Sequence, residues 1–482
     1  MPAPSVYPVL PRADTLAQLP PEYPTDAQDQ ITNLLSTSSQ NRLVVLDDDP
    51  TGTQTCHDIS VLAVWDINTL VEEFQRASPG FFILTNSRAL PPTEAENLIY
   101  EICHNVAQAA KATEQSVDIV LRSDSTLRGH FPLEADVAQS VFGEADAWIL
   151  APFFFQGGRF TISDVHYVAE GEKLVPAGGT QFAKDATFGY ESSNLRDYVM
   201  EKAPGRFGSQ QLHSVSIGDI RNGGPEEVCE KLLGISGGGV VIVNAAAESD
   251  MHVFVAGLLL AEAKGKHFLY RTGAAFVSSR LGIRSKAPIT AKELNLPSPR
   301  QTGGLILVGS YVPKTTAQVD TLINTSKENG KELSIIEIKV EELLESHDSA
   351  LRTIKNIVKE TEQCLQAGKD TLVMTSRKLV TGDDKLSSLA IGTTVAEAVV
   401  RILQGIEVRP RYIIAKGGIT SSDAATKGLN IKRALVVGQA APGVPLWRCD
   451  ERSSRHQGTP FVVFPGNVGS ESTLYELVEA WS

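Results

Sequence analysis

The sequence predicts an α/β protein of two domains, each a mostly parallel sheet flanked by helices. Two observations support this prediction. Short apolar runs typical of buried strands alternate with longer helical patterns in both halves of the chain, as expected for parallel strands that are covered on both faces. The length of 482 residues is enough for two or three domains of ordinary size, each with its own core.

The first half of the chain contains five apolar runs that we predict to be strands. Helices are predicted from residue 92, behind the second run, and over 248–264, behind the fifth. The runs are LVVL at 43–46, FFILT at 81–85, DIVLR at 118–122, AWILAP at 147–152 and VVIVN at 240–244.

A second series of strands is predicted in the other half, with helices over 348–367 and 389–404. Its runs lie at 305–310, 333–340, 370–376, 412–418, 434–439 and 461–467. Between the two series the pattern lapses in a segment rich in Pro, Ser and Lys, which is typical of a linker. We therefore predict an irregular, Pro-rich N-terminal arm over 1–40, a first domain over 41–283, a linker over 284–303 and a second domain over 304–482.

Composition and charge exclude several classes of function. Acidic residues outnumber basic ones by 57 to 44, which gives a formal net charge of −13, whereas a general nucleic-acid binder needs a basic face. No apolar run reaches the ~18 residues of a membrane span. The five cysteines are far apart, without a CxxC pair or a Cys/His cluster at zinc spacing, which is typical of reduced thiols. We expect a cytoplasmic protein with neither nucleic acid nor membrane as a partner.

Charged and polar residues follow the predicted strands of the first domain. Ligands of open α/β sheets collect at the carboxyl ends of strands, so these positions are candidates for a site. Adjacent acids repel one another unless a metal, a hydroxyl or a basic group compensates them; a turn that caps a helix is the structural alternative. The candidates are Asp47, Asp48 and Asp49 after the first strand, Asn86 and Arg88 after the second, Arg122, Asp124, Ser125 and Arg128 at and after the third, and Gly158 and Arg159 after the fourth.

The second domain carries glycines instead of acids at its predicted strand ends. Backbone N–H groups in such turns bind phosphates, although each glycine pair alone is also compatible with a tight turn. There is neither a GxxxxGKS/T phosphate loop nor a GxGxxG fingerprint after a strand. The pattern predicts a nucleotide site, and its candidates are Ser310, Gly417, Gly418, Ile419, Thr420, Gly438, Gly466 and Asn467.

The chain after position 40 resembles the four-carbon acid sugar kinase family. The long DSTLRGN-type segment of that family is matched at 124–129, with His130 in place of Asn. The DD-x-TGA-type turn at the end of the family's first strand is matched by Asp47, Asp48, Asp49, Thr51 and Gly52. The resemblance implies an ATP-dependent kinase that phosphorylates the terminal hydroxyl of threonate, erythronate or 3-oxo-tetronate, with its active site in the cleft between the domains.

Phosphoryl transfer depends on positioning, charge neutralisation and Mg²⁺, and we expect ATP and Mg²⁺ as cofactors. We expect Asp48 and Asp124 to be catalytic, and the sequence leaves open whether Asp47/Asp48 or Asp124 is the base. The residues expected to bind the sugar acid are Asp47, Asn86, Arg88, Arg122, Ser125, Arg128, Gly158 and Arg159. The resemblance places ATP on Ser310, Gly417, Gly418, Ile419, Thr420 and Gly466. Asn467 of the last turn is added as a candidate for ATP binding. No metal ligand is assigned.

An alternative function is kept because the first turn, DPTGTQTCHD at 49–58, departs from the Ala-Asn-Asp-like continuation of the family. That alternative is a non-catalytic sugar-acid or nucleotide sensor on the same fold. A nicotinamide-dependent oxidoreductase is disfavoured by the missing dinucleotide fingerprint. The sequence leaves a homodimer open.

Overall fold

The computed structural model describes residues 7–37, 41–309, 312–376, 385–449 and 452–482, without the side chains of 385–390. It divides into two compact units. The first runs to Cys56 and again from Val64 to Ser285, and the second comprises His57–Ala63 and Lys286–Ser482. The prediction of an α/β chain with two domains is thus confirmed, although a seven-residue segment from the first half belongs to the second unit.

The strands are β1 Leu10–Pro11, β2 Arg42–Asp47, β3 Ile59–Leu62, β4 Gly80–Leu84, β5 Val117–Arg122, β6 Ala147–Ala151, β7 Arg159–Ile162, β8 Val165–Glu170, β9 Lys173–Pro176, β10 Leu212–Val215, β11 Gly239–Val243, β12 Phe268–Thr272, β13 Leu305–Val308, β14 Leu333–Ile338, β15 Asp370–Thr375, β16 Ile413–Lys416, β17 Arg433–Ala441, β18 Val444–Arg448 and β19 Pro460–Phe464.

The α-helices are α1 Arg12–Ala17, α2 Ala27–Thr37, α3 Ile67–Phe74, α4 Pro92–Ala112, α5 Leu133–Phe142, α6 Leu195–Lys202, α7 Gly224–Leu233, α8 Glu248–Ala263, α9 Ala274–Arg280, α10 Pro313–Glu328, α11 Val340–Glu345, α12 His347–Gln366, α13 Lys385–Gly405, α14 Gly418–Asp423 and α15 Thr473–Trp481. Across the described residues, no helix is both long and apolar enough to cross a membrane.

A fully parallel sheet forms the centre of the first unit, with the strand order β10-β11-β6-β12-β5-β2-β4. Its strands are continuous apolar runs because helices cover both faces and leave no side of the sheet to water. Pro92 starts α4, where its missing N–H is not needed. The parallel arrangement brings the carboxyl ends of β12, β5, β2 and β4 to one edge, next to one another.

The N-terminal segment differs from the irregular arm that we predicted. Leu10 of β1 pairs with Leu174 of β9, in a small antiparallel sheet of order β1-β9-β8-β7. In α2, Ala27 and Ile31 are buried, and Gln28 Nε2 donates to Ile283 O at 3.2 Å. Tertiary contacts order this segment, because two strand residues and an eleven-residue helix have too few local hydrogen bonds to persist alone.

The sheet of the second unit is only half parallel, with the order β3-β17-β18-β19-β16-β13-β15-β14. The strands from β19 to β14 are parallel, whereas β3, β17, β18 and β19 pair antiparallel. Gly438 lies inside β17, at φ 154° and beside a register shift, so the prediction that it ends a strand is wrong. The alternation of half-exposed residues in β17 marks a strand with one covered face.

Residues 284–303, which we predicted to be a linker, contain no helix or strand and pack onto the second unit. Ile289 belongs to the apolar core of that unit, and its backbone N–H donates to Gln439 O at 2.8 Å. Trp481 Nε1 of α15 donates to Ile289 O at 3.2 Å. The exact domain boundaries stay a prediction.

Candidate active site

The strand order brings three of the predicted loops of the first unit together. Within the sheet, Asp47 at the end of β2 is paired with Leu84 of β4 on one side and with Arg122 of β5 on the other. The turns that follow these three strands therefore start at the same height of the sheet edge. Asp48, Arg88 and Asp124 meet there, so residues that are far apart in the sequence form one charged cluster.

Asp47 and Arg122 form a buried pair at the base of this cluster. Their side chains are joined by a 3.4 Å contact between Asp47 Oδ1 and Arg122 Nη1, and only 1% and 3% of each residue is exposed. Burial raises the pKa of Asp47 to about 8, against the opposing charge of Arg122. A Cβ at Gly52 would lie 2.0 Å from Asp47 Oδ1, so the glycine of the turn is needed for this carboxylate to fit.

Arg88 is the centre of the charged cluster. Its guanidinium reaches Asp49 Oδ2 at 2.5 Å, Asp124 Oδ1 at 3.5 Å and Asp48 Oδ1 at 3.9 Å. Burial opposes its ionisation, but the carboxylates of Asp48 and Asp49 raise the pKa of Arg88 above the ordinary value. The turn that carries it begins at Asn86, which has a left-handed backbone with φ 52°, a conformation that Asn tolerates better than most residues.

Asp48 is the carboxylate of the cluster with the fewest partners. It is 4% exposed, and among the described residues neither of its buried oxygens has a hydrogen-bond donor. Burial raises its pKa, although Arg88 and Arg122 oppose the shift. A buried carboxylate without donors is costly, so Asp48 is the group of this site that a bound hydroxyl or cation would satisfy.

Asp124 has the opposite environment. Its Oδ2 accepts from Arg128 Nε at 2.7 Å and from the hydroxyl of Thr126. Although burial favours the neutral form, Arg128 and Arg88 lower the pKa of Asp124 well below its usual range. Asp124 is therefore ionised and holds two arginines in place.

Arg159 and Arg128 lie over the same aromatic ring. Their guanidinium carbons are 5.6 and 5.3 Å from the centroid of Phe182. Arg128 also faces Asp185 at 3.7 Å, whereas Arg159 donates to the carbonyl of Gly157 and forms no ion pair within the described residues. Its Nε is buried without a partner there, and burial lowers its pKa.

Gly158 and Ser125 have structural explanations that the sequence did not give. Gly158 has φ +71°, and a Cβ there would lie 2.9 Å from the Cβ of Ala169, so its glycine is explained by a tight turn and close packing. Ser125 is buried, and its carbonyl contacts His166 Nε2 at 2.8 Å. Burial lowers the pKa of His166 to about 4, so this histidine is a neutral support of the loop.

Sequence reasoning missed Arg271 and Glu134. Arg271 on β12 lies over the ring of Phe131, with its guanidinium carbon 5.1 Å from the centroid, and Glu134 on α5 accepts from Ser87 Oγ at 2.5 Å. Burial and the charge of Asp48 raise the pKa of Glu134 to about 7. The apolar run of FLYRT at 268–272 leads into an Arg, as that of DIVLR at 118–122 does, and this signal could have identified Arg271.

The glycine turns of the second unit also lie at one sheet edge, because Val308, Lys416 and Phe464 are aligned across β13, β16 and β19. Gly417, with φ +115°, donates to Phe464 O at 2.8 Å. A Cβ at Gly309 would lie 2.6 Å from Thr420 Oγ1. These contacts bring the three turns that were expected to bind ATP close together.

The remaining nucleotide candidates differ in how accessible they are. Gly418 is the first residue of α14, and Ile419 after it is 68% exposed. In the turn after β19, Gly466 O accepts from Thr315 Oγ1 at 3.3 Å and Asn467 is exposed. Ser310 lies outside the described residues.

Both units match known domain families. Residues 43–280 match the model of a sugar-binding N-terminal domain, and residues 305–474 match that of a nucleotide-binding C-terminal domain. The chain belongs to the four-carbon acid sugar kinase family. Both matches begin within one residue of strands β2 and β13, at the start of each parallel core.

One curated relative and two solved structures are similar to the chain. A 3-oxo-isoapionate kinase from Paraburkholderia graminis is 27% identical over 262 residues, and the match covers 49% of this chain and 53% of that protein. The chain thus spans about half the length of that relative. A Salmonella typhimurium LT2 protein whose name refers to a tRNA synthase has a TM-score of 0.65 at 14% identity, over 90% of this chain and 98% of its own.

A Haemophilus influenzae protein has a TM-score of 0.58 at 17% identity, over 90% of this chain and 99% of its own. At these identities the two solved structures show the fold alone. Because each match covers 90% of this chain, both halves share the fold of these structures.

Proposed function

We propose that this protein is an ATP-dependent kinase that phosphorylates a hydroxyl of a four-carbon acid sugar of the threonate, erythronate or 3-oxo-tetronate type. The observation that carries the proposal is Asp48, a buried carboxylate without hydrogen-bond donors among the described residues, placed beside an arginine at the carboxyl edge of a parallel sheet. That edge is where ligands of such sheets bind. The sugar-binding domain match and the kinase relative support the same reading.

We assign Arg159 the role of binding the carboxylate of the sugar acid. Arg88, Arg122 and Arg128 already have carboxylate partners within the protein, whereas Arg159 has none among the described residues. A guanidinium without a counter-charge in a buried site favours an anionic ligand, which it binds through two parallel hydrogen bonds.

We assign Asp48 the role of the general base, which accepts the proton of the attacking hydroxyl. A general base works best when its pKa lies closer to the working pH than that of an ordinary carboxylate, and burial raises the pKa of Asp48. Asp124 is less suited because its pKa is lowered and Arg128 occupies it. We assign Asp124 the task of holding Arg88 and Arg128.

ATP is assigned to the turns after β13, β16 and β19 of the second unit. Their backbone N–H groups suit phosphates, and the nucleotide-binding domain match supports the assignment. Among the described residues, no group of three or more His, Cys, Asp or Glu side chains could hold a metal ion. Mg²⁺ is commonly held by phosphates, waters and one or two carboxylates, so ATP itself would bring most of its ligands, and the ion would neutralise phosphate charge.

A coupled assay of ADP release tests the proposed function. The full-length protein is mixed with ATP, MgCl₂ and each of threonate, erythronate, 3-oxo-tetronate and 3-oxo-isoapionate, the last because the curated relative is named for it. We expect turnover with at least one acid and none with the matching uncharged sugar alcohols, because Arg159 needs an anion. An absence of ADP release with every acid, in a protein that binds ATP, would reject the kinase.

The sensor is distinguished by binding without turnover. Calorimetric binding of a sugar acid or ATP, with no product detected by mass spectrometry after long incubation, would favour it. The departure of residues 49–58 from the family pattern is the observation that keeps this alternative. Thermal stabilisation by NAD instead of ATP would point to an oxidoreductase.

A further inference from the structure

Lys416 lies beneath the glycine turns of the second unit and has no role in the mechanism described above. It is the last residue of β16 and directly precedes Gly417. Its side chain is fully buried, its Nζ donates to Pro465 O at 2.5 Å, and the same atom lies 3.9 Å from the centroid of the Phe464 ring. Because β16 and β19 are parallel neighbours, this bond joins the turn after one strand to the turn after the other.

The charge of Lys416 has no counter-ion among the described residues. The charged side chain that acts on it is Lys314, in the first turn of α10, which is itself a cation and donates to Gly469 O at 3.3 Å. A buried ammonium with only a carbonyl and a ring as partners is costly. Burial, with a smaller effect of Lys314, lowers the pKa of Lys416 to about 7.

We propose that Lys416 is a positioning residue for the nucleotide, which holds the turn after β19 against the turn after β16 and takes up one proton from solvent when the phosphates bind. The inference rests on the proposed assignment of ATP to the second unit, and it adds a residue and a proton that this assignment does not contain. The phosphates supply the negative charge that the buried lysine lacks. The ammonium form is therefore favoured in the complex, and the amine is favoured in the free protein above neutral pH.

Isothermal titration calorimetry of the full-length protein tests this proposal. MgADP is titrated at pH 8 in buffers of different ionisation enthalpy, so that the dependence of the measured heat on the buffer counts the protons taken up. We expect uptake approaching about one proton for the wild type, because the free amine is mostly neutral one unit above its pKa. Lys416→Met should remove the buffer dependence and weaken binding by roughly tenfold or more, as expected for a lost charged hydrogen bond.

Lys416→Arg distinguishes the effect of the positive charge on affinity from the uptake of a proton. Arginine stays charged at all accessible pH values, so this variant should regain part of the affinity without proton uptake, a result that a merely structural lysine would not give. Wild-type binding with heats independent of the buffer would overturn the role of Lys416 and leave the proposed function intact. A wild type that binds no nucleotide would overturn both.

The pH dependence of unfolding, measured without nucleotide, gives a second readout. A lysine whose folded pKa is about 7 binds fewer protons folded than unfolded between about pH 7 and 10.5. The wild type should therefore gain stability relative to Lys416→Met as the pH rises from 7 to 9. Parallel curves for the two proteins would show that Lys416 is an ordinary ammonium and would reject the proposal.

Discussion

At the scale of single residues, Asp48 and Asp124 show how two carboxylates of one cluster acquire different properties. Both contact Arg88, yet burial raises the pKa of Asp48, while Arg128 and Arg88 lower that of Asp124. The difference comes from the second partner: Asp124 has Arg128 at 2.7 Å, and Asp48 has no hydrogen-bond donor among the described residues. The sequence could not separate these roles because both are Asp residues that follow a strand.

Asp48→Asn is expected to lower kcat by about 10²–10⁴, the usual contribution of a general base, with little change in KM. The base must be ionised, and a raised pKa shifts the loss of the ionised form to higher pH. The wild-type kcat/KM should therefore fall on the acid side at a higher pH than an ordinary Asp would give. This fall should be missing from the residual activity of the variant, as measured by the coupled assay from pH 5 to 9.

Asp124→Asn is the comparison. It releases Arg88 and Arg128, and Arg128 lies over the same Phe182 ring as Arg159, to which the sugar carboxylate is assigned. We therefore expect a raised KM for the sugar acid as its main effect, with the acid-side fall of kcat/KM retained. If the Asp124 variant loses the acid-side fall of kcat/KM and the Asp48 variant keeps it, Asp124 is the general base and Asp48 is the residue that holds the arginines.

Gly52→Ala tests the steric role of the acidic turn. The added Cβ would overlap the Asp47 carboxylate at 2.0 Å, so we expect a loss of stability of at least the ~1–3 kcal/mol that overpacking costs. Gly218→Ala is the matched control in the same unit, because its backbone is helical and the nearest atom to an added Cβ is 3.5 Å away. Urea unfolding of both variants measures the difference, and equal stabilities would mean that the turn adapts without cost.

At the scale of elements, helix α5 supports the turn that follows strand β4. Glu134 on α5 accepts from Ser87 Oγ at 2.5 Å, and His130, just before the helix, contacts Ser87 O and Leu90 O at 3.0 and 3.1 Å through Nε2. These contacts hold the backbone on both sides of Arg88. His130, which stands where the family's DSTLRGN-type segment has Asn, therefore has a structural role.

Glu134→Gln is expected to reduce the pH dependence of stability. The folded pKa of Glu134 is raised from 4.5 to about 7, so its protonation stabilises the fold below about pH 4.5, and this contribution is lost as the pH rises to about 7. The loss amounts to about 3 kcal/mol over that range, and the variant should not show it. Calorimetric unfolding between pH 5 and 8 measures the difference.

Asp136→Asn, which changes a more exposed carboxylate on the same helix, is the control for this comparison. Asp47 and Asp48 also have raised pKa values, so every variant should keep part of the slope of stability against pH. An unchanged slope in Glu134→Gln would show that Glu134 is not the group that titrates.

The predicted elements agree best with the structure where a strand is short, apolar and buried on both faces. The bounds of β2, β5, β6 and β11 are within one residue of the predictions. Strand β12 was missed because FLYRT ends in the polar residues Arg271 and Thr272. Both are buried in the structure, where Arg271 lies against Phe131. The half-covered strand β17 follows neither pattern completely, because buried and partly exposed residues alternate along most of its length.

At the scale of the whole molecule, the chain does not divide at a single point. Strand β3, at residues 59–62, pairs antiparallel with β17 of the second unit, and Ser60 Oγ accepts from Arg433 Nη2 at 2.6 Å. The structural integrity of the second unit therefore depends on residues near the amino terminus, and a second half expressed alone would leave an unpaired strand edge at β17.

Val61→Asp is expected to destabilise the second unit. Val61 is buried opposite Ala434, and a buried charge without a partner costs several kcal/mol. Hydrogen exchange of the full-length variant should show faster exchange in β17 and β18, with β5 of the first unit little changed. Ile67→Asp, at a partly exposed position six residues later, is the control; equal exchange in β17 for both variants would mean that β3 contributes little.

The sequence by itself determined the α/β class, most of the central strands and the residues that line the strand ends, because apolar period and turn chemistry are local properties of the chain. The tertiary structure decided which of those residues are partners. It placed Asp47 and Arg122 beneath the site, left Asp48 without donors and Arg159 without an acid among the described residues, and assigned β3 to the second unit. These outcomes depend on strand order and on burial, which are set by contacts between segments far apart in the sequence and so cannot be read from any one of them.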